Sequence, residues 1–266
     1  MVLVVKVGGR ALTKNLREIL EDLASVSREL DVVLVHGGGN VVSEYSRRLG
    51  IEPKFVISPS GVRSRYTDRD ELDVYVMVMA GKINKEMIAA LKSLGVSAVG
   101  LSGADGGLLT AERKKRILVL DERGRKRVIE GGFTGKVVRV NADLVTSLLR
   151  MGYVVVVAPV AVADDGTLLN VDGDQGACAI ARALKAEELV FLTDVSGVLV
   201  DGELVKEIKA GSIDELVKKV GFGMNRKLLM IREVLESGTK KVIISSGLVQ
   251  RPITQALSGF GTVVRC

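Results

Sequence analysis

Tryptophan is missing from this chain of 266 residues, histidine occurs once, cysteine twice, and aromatic residues make up 3% of the total. So few aromatic rings leave little for base stacking, which counts against a single-stranded nucleic-acid platform. Cys178 and Cys266 form neither a metal-ligand spacing nor a disulfide framework, and Cys178, in a run of small residues, reads as core packing. His36, the lone histidine, would have to be spent on any serine triad, and no nucleophile elbow is present. Placed before three glycines, it reads as a structural hydrogen-bonding group. No run of about 18 uncharged apolar residues offers a membrane span. Met1 also leads straight into the first strand, without room for a signal peptide. These absences predict a cytosolic protein, large enough to bury a substantial core as one domain or two lobes.

What is present is positive charge and alternation. The formal charge of +6 predicts an acidic partner or substrate. Apolar strand-like runs at Val2–Val7, Val32–His36, Ala98–Leu101, Tyr153–Ala158, Leu189–Thr193, Lys241–Ile244 and Gly261–Val264 alternate with helical patterns. The helices are expected at Asn15–Leu30, Asn40–Leu49, Asp68–Leu94, Ala142–Met151, the stretch up to Ala183, Ser212–Lys219 and Met224–Ser237. Between Gly106 and Val140, short β segments with glycine turns predict a hairpin excursion. The pattern predicts an α/β fold, helices sandwiching a mostly parallel central sheet, with lobes at 1–169 and 170–266 that share the sheet and bind ligands at its carboxyl strand ends.

Four glycine-rich or polar turns follow predicted strands: Lys6-Val7-Gly8-Gly9, His36-Gly37-Gly38-Gly39, Gly100-Leu101-Ser102-Gly103 and Thr193-Asp194-Val195-Ser196-Gly197. One such turn is an ordinary strand-to-helix connection; several on one sheet edge point to a polyanion. The chain contains neither a Walker A loop nor a Rossmann fingerprint, so a nucleotide would have to be held in another way. Lys6 either ends its strand in solvent or points into the crevice. Asn170, Asp172 and Asp174 cluster at a helix start, where they either cap it or position lysine ammonium groups. Lys227 is expected in the first turn of its helix, an unfavourable place for a cation unless an anion binds there too. Arg63, Arg65 and Thr67 lie in an expected polar turn and suit a carboxylate. The basic runs Arg113-Lys114-Lys115-Arg116 and Arg125-Lys126-Arg127 fall on the hairpin, either as a solvated face or as a dock for an acidic partner.

Across essentially its whole length, the chain resembles the amino-acid kinase family. The resemblance rests on Lys6-Val7-Gly8-Gly9, His36-Gly37-Gly38-Gly39, Arg65-Tyr66-Thr67, Asn170-Val171-Asp172-Gly173-Asp174, Thr193-Asp194-Val195-Ser196-Gly197 and Gly223-Met224-Asn225-Arg226-Lys227, in the family's order. Within it the chain is similar to N-acetylglutamate kinase and its carrier-dependent archaeal relatives. The stretches Arg63-Ser64-Arg65-Tyr66-Thr67, Ala111–Arg116 and Asp172-Gly173-Asp174 favour the carrier-dependent branch. That branch implies ATP as phosphoryl donor, Mg2+ carried on its phosphates without a dedicated protein metal site, and an acceptor attached to the small acidic carrier protein LysW. By the same resemblance, Lys6 and Lys227 would stabilise the migrating phosphoryl group, with Asp174 holding both. Gly37 and Gly38 would bind the reacting carboxylate, Arg65 and Asn170 the α-carboxylate, Gly8 and Gly9 the phosphates, and Thr193 and Asp194 the nucleotide. The basic hairpin would dock the carrier, and a homodimer through the long helix after Asp68 is implied. N-acetylglutamate kinase stays open as the rival. Uridylate kinase fits less well, because Arg65 and Asn170 suit carboxylates better than a base, and an inactive nucleic-acid-binding module is the alternative of another class.

Overall fold

The computed structural model describes residues 1–266, apart from the side chain of Phe222. Eight strands form the central sheet, in the order Glu207–Lys209, Thr262–Arg265, Lys241–Ser246, Glu188–Thr193, Val2–Val7, Asp31–His36, Val154–Ala158 and Ala98–Ser102. The last six run parallel, and Thr262–Arg265 joins them antiparallel. The strands Val2–Val7 and Glu188–Thr193, from the two halves of the chain, pair directly, with Lys6 opposite Phe191.

Near-continuous valine, leucine and isoleucine runs form these strands because both sheet faces are covered. Val4, Val33, Val35, Val155, Val157, Leu189, Phe191, Val242 and Ile244 point to one face, under the helices Ala142–Arg150, Gly173–Leu184 and Phe222–Glu236. Leu3, Val5, Val7, Leu34, Val154, Val156, Val190, Leu192 and Ile243 point to the other, where the helices include Gly9–Val26, Asn84–Ser93 and Pro252–Leu257. Each such side chain contributes about 1.5–3 kcal/mol when removed from water.

Three departures from the sequence expectation bear on the site. The first helix begins at Gly9, not Asn15; Asn15 instead breaks the helical dihedrals (φ −143°, ψ 26°). Its amide bonds the Gly247 and Val249 carbonyls at 2.9 and 3.0 Å. Arg63 and Arg65 lie on a strand, Arg63–Tyr66, paired antiparallel with Lys54–Ile57 rather than in a turn. The helix carrying Lys227 starts at Phe222, so Lys227 sits in its second turn, beyond the reach of most of the dipole penalty.

The Gly106–Val140 region holds four strands, Leu109–Arg113, Arg116–Leu120, Lys126–Glu130 and Gly135–Val140, which divide between two small four-stranded sheets. Strand Arg116–Leu120 and Lys126–Glu130 form the hairpin, and its sheet continues through Lys54–Ile57 to Arg63–Tyr66. A short hairpin, Val198–Val200 with Glu203–Val205, follows the polar turn after Thr193. Among the described residues, no helix is long and apolar enough to cross a membrane.

Candidate active site

Two glycine turns meet at the carboxyl ends of Val2–Val7 and Asp31–His36. A Cβ on Gly37 would lie 2.9 Å from the Gly9 nitrogen, and one on Gly9 would lie 2.8 Å from Asn40 Oδ1. Only glycine lets the two backbones approach this closely. The Gly8 and Gly37 N–H groups are consumed by the sheet, donating to Leu192 and Val7 carbonyls at 2.8 Å each. Amides at helix starts have no intrahelical acceptor. The donors left to an anion are therefore those at and beyond Gly9 and Gly38, while Gly8 and Gly37 act through shape.

Asp174 lies in the first turn of the helix Gly173–Leu184. Asp172, not Asp174, caps that helix, accepting from the Asp174 and Gln175 N–H groups at 2.9 and 3.2 Å. This frees the Asp174 carboxylate for the lysines. Lys6 Nζ lies 2.6 Å from its Oδ1, and Lys227 donates to its Oδ2. The Lys6 contact is a charge pair set off the hydrogen-bonding axis, which leaves Oδ1 without an aligned donor. Lys227 also stands over the buried Phe191 ring, 4.4 Å from its centroid. Burial pushes the Asp174 carboxyl up, but the Lys6 and then the Lys227 charges more than reverse this and hold it well below the usual carboxylate range. Burial likewise opposes the Lys6 ammonium, and the Asp174 charge wins, raising its pKa.

Two clefts meet at this cluster and share Lys6, Gly9, Asp174 and Gly223. One, of about 390 Å³, is lined by Gly8, Arg10, Thr193, Asp194, Met224 and Lys227. Arg10 Nη1 bonds Asp194 Oδ2 at 2.7 Å, and Thr193 Oγ1 bonds Asp194 Oδ1 at 3.1 Å. The other, of about 440 Å³, is lined by Gly37, Gly38, Gly39, Arg63, Arg65, Lys114, Asn170 and Arg226 among others. Among the described residues no group of three His, Cys, Asp or Glu could hold a metal ion.

Arg65 is held more tightly than expected. Its guanidinium pairs with the buried Glu71 and donates to the Gly39 carbonyl and Ser43 Oγ at 2.6 Å each. It therefore braces the start of the helix Gly39–Arg48 as well as lining the cleft. Sequence reading missed Glu71, Ser43 and Arg10; the first two sit in helices whose pattern shows only amphipathicity, and Arg10 follows the Gly8-Gly9 pair. Asn170 donates to Thr67 Oγ1 at 2.8 Å. Of the basic hairpin residues, Lys115, Arg116, Arg125, Lys126 and Arg127 are exposed, with Arg125 and Arg127 both paired to Asp121. Arg113 is exposed too, but its guanidinium is tied back, donating to the Gly132 carbonyl at 2.6 Å and stacking on Phe133. Lys114 is not on the hairpin surface but in the second cleft.

His36 is buried behind the glycine turn, with Nδ1–H donating to the Gly37 carbonyl at 3.0 Å and Nε2 facing the Asn84 amide at 3.5 Å. Loss of solvent pushes its pKa down to about 4, against a small opposing effect of the Gly37 bond.

Residues 1–246 match the amino acid kinase family. Over 264 residues the chain is 52% identical to a [LysW]-aminoadipate/[LysW]-glutamate kinase of Saccharolobus islandicus, covering 99% of both chains. It is 51% identical to the protein of the same name from Metallosphaera sedula, covering 99% of this chain and 100% of that one. Among solved structures, the N-acetylglutamate synthase of Neisseria gonorrhoeae with coenzyme A and N-acetyl-glutamate matches at TM-score 0.83 and 25% identity, over all of this chain and 59% of its own. Carbamate kinase from Giardia lamblia bound to AMP-PNP matches at TM-score 0.68 and 17% identity, over 99% of this chain and 98% of its own.

The His36 environment sets a pH dependence. Below pH 6.5 the unfolded chain takes up a proton on His36 that the folded chain refuses until about pH 4. Its contribution to stability is therefore complete above 6.5 and falls as the pH drops through that window. Between pH 7 and 5 the expected loss is about 2 kcal/mol. Denaturant unfolding at the two pH values should show this loss in the native chain and a flatter response in His36→Asn; equal slopes would refute it.

Proposed function

We propose that this chain, which belongs to the amino acid kinase family, transfers the γ-phosphoryl group of ATP to the side-chain carboxylate of 2-aminoadipate or glutamate carried by LysW. The observation that carries this reading is the junction of two clefts at Lys6, Asp174 and Lys227. In this reading ATP occupies the cleft of Gly8, Thr193 and Asp194, and the acceptor occupies that of Gly38, Arg65 and Asn170. A carboxylate oxygen attacks the γ-phosphorus in line, the bond from that phosphorus to the β,γ-bridging oxygen breaks, and ADP leaves with the electron pair. The product is an acyl phosphate.

A carboxylate is already a nucleophile, so no general base is needed and the rate comes from positioning and charge. The two ammonium groups neutralise the phosphoryl oxygens, Asp174 fixes their spacing, and the Gly9 and Gly38 amides add donors. Asp174 is engaged by two lysines and Asp194 by Arg10. Magnesium is accordingly assigned to the nucleotide's own phosphates.

Carrier docking fits the small sheet beside the acceptor cleft. Strand register puts Arg116, Leu118, Lys126, Val128 and Ile57 on one face, with a single acidic residue, Glu130, opposite Arg116, and Arg63, opposite Ile57, lines the cleft. Leu118, Val128 and Ile57 are exposed apolar side chains among cations, as a docking face for an acidic protein requires. A homodimer in the cytosol belongs to the same reading.

Initial rates with LysW-linked aminoadipate, LysW-linked glutamate and N-acetylglutamate test the assignment; rapid turnover of the acetylated acceptor alone would replace it with N-acetylglutamate kinase. Lys227→Met is expected to lower kcat about 100-fold or more while changing ATP affinity little, since its interaction grows in the transition state. Equal losses in both would remove Lys227 from that role. Reversing charge at Lys115, Arg116 and Lys126 should raise KM for the carrier-linked acceptor at least tenfold at low salt and leave ATP binding intact; an unchanged KM would refute docking on this face.

A further inference from the structure

Lys114 lies apart from the basic run to which it belongs. It follows the strand Leu109–Arg113, its N–H donates to the Thr134 carbonyl at 2.9 Å, and its side chain turns into the acceptor cleft. Half-buried there, it has no carboxylate of the described residues within ion-pair distance, 4.0 Å. Burial, followed by the charge of Arg226, lowers its pKa. Arg226 lines the same cleft and reaches only Asp172, at 3.7 Å. Neither residue lines the nucleotide cleft.

Of the other lining cations, Lys6 has Asp174 and Arg65 has Glu71, each at contact distance, while Arg63 is exposed to water and stacks on the Phe55 ring. A cation left poorly paired in a partly desolvated cleft costs free energy, and such a local conflict marks a place where a ligand supplies the missing charge. Five cationic and two acidic side chains line this cleft, so even with Glu71 offsetting Arg65 a positive surplus remains.

We infer that Lys114 and Arg226 form a second anion subsite of the acceptor cleft, which takes a carboxylate that is neither the one phosphorylated nor the α-carboxylate of the same amino acid. An N-acetylated dicarboxylic amino acid brings only those two. A third arrives when the acceptor's amino group is joined to the side chain of an acidic residue, whose own α-carboxylate then lies a few bonds from the linkage. The inference rests on the carrier-linked reading above and names the feature by which the cleft tells a peptide-linked acceptor from an acetylated one. Lys114 and Arg226 are then specificity-determining residues.

Small acceptors isolate this carboxylate from carrier docking. N-acetyl-γ-glutamyl-2-aminoadipate carries it, and the derivative with that one carboxylate converted to a carboxamide does not. Calorimetric titration of both into the full chain, with Mg2+ and a non-hydrolysable ATP analogue, should show the acid binding about tenfold more tightly than the amide. In Lys114→Gln that preference should shrink below threefold, and Lys114→Arg should restore most of it. Equal binding of acid and amide by the native chain overturns the subsite, as does a preference that survives Lys114→Gln undiminished. The kinase reading fails separately, through absent turnover of LysW-linked acceptors, whatever these affinities show.

Discussion

One carboxylate shared between two ammonium groups is the constraint on which the site is built. Lys6 leaves the sheet at the end of the first strand, and Lys227 comes from a helix more than two hundred residues later, yet both converge on Asp174. Left alone, two lysines this close would repel, and burial would favour their neutral forms. Asp174 keeps them charged and fixes where their charge sits. Its own burial is tolerable because the pair of cations compensates it, and because Asp172 relieves it of capping the helix. The triad carries a net positive charge at a point where two clefts open, which is the electrostatic condition for holding a phosphoryl group between a donor and an acceptor.

The fold supplies that point by pairing its two halves edge to edge. Val2–Val7 lies between Asp31–His36 and Glu188–Thr193, so the turn after it faces the Gly37-Gly38-Gly39 turn on one flank and the Thr193-Asp194 turn on the other. Six parallel strands deliver their carboxyl ends to one rim, and the Gly9–Gly37 contact lets two of these turns touch. The cost is a set of sheet-edge amides already spent on neighbouring carbonyls, so the anion donors shift one residue along, toward the helix starts.

Much of this was legible in the chain because the features that place Lys6, His36 and Thr193 are long buried strands with glycine or polar turns at fixed ends, and these read directly from composition. Asp174 and Lys227 came into view through their motifs, not through periodicity. Arg65 reads as a turn residue because its strand is polar, short and paired only within a small outer sheet, so it lacks an apolar pattern. Asn15 reads as a helix start since it punctuates the sequence; its side chain instead ties the first helix to the Gly247 turn, a contact across 232 residues that no local rule contains. The sheet runs without a break from Val2–Val7 to Glu188–Thr193, so the two halves of the chain share one core structure.

The basic segment shows most clearly why linear charge misleads. Arg113-Lys114-Lys115-Arg116 reads as a single patch, yet the chain leaves one strand at Arg113 and enters the next at Arg116. Across that corner Arg113 folds back onto Phe133, Lys114 turns into the cleft, and Lys115 and Arg116 face solvent. Four adjacent cations thus serve three environments. On the proposed reading, a docking face and a cleft that meet at such a corner would read one acidic chain twice: its surface by long-range charge, and the residue joined to the acceptor by a short, partly desolvated contact. The first sets how often partners meet and weakens with salt; the second, being buried, keeps its discrimination when salt rises.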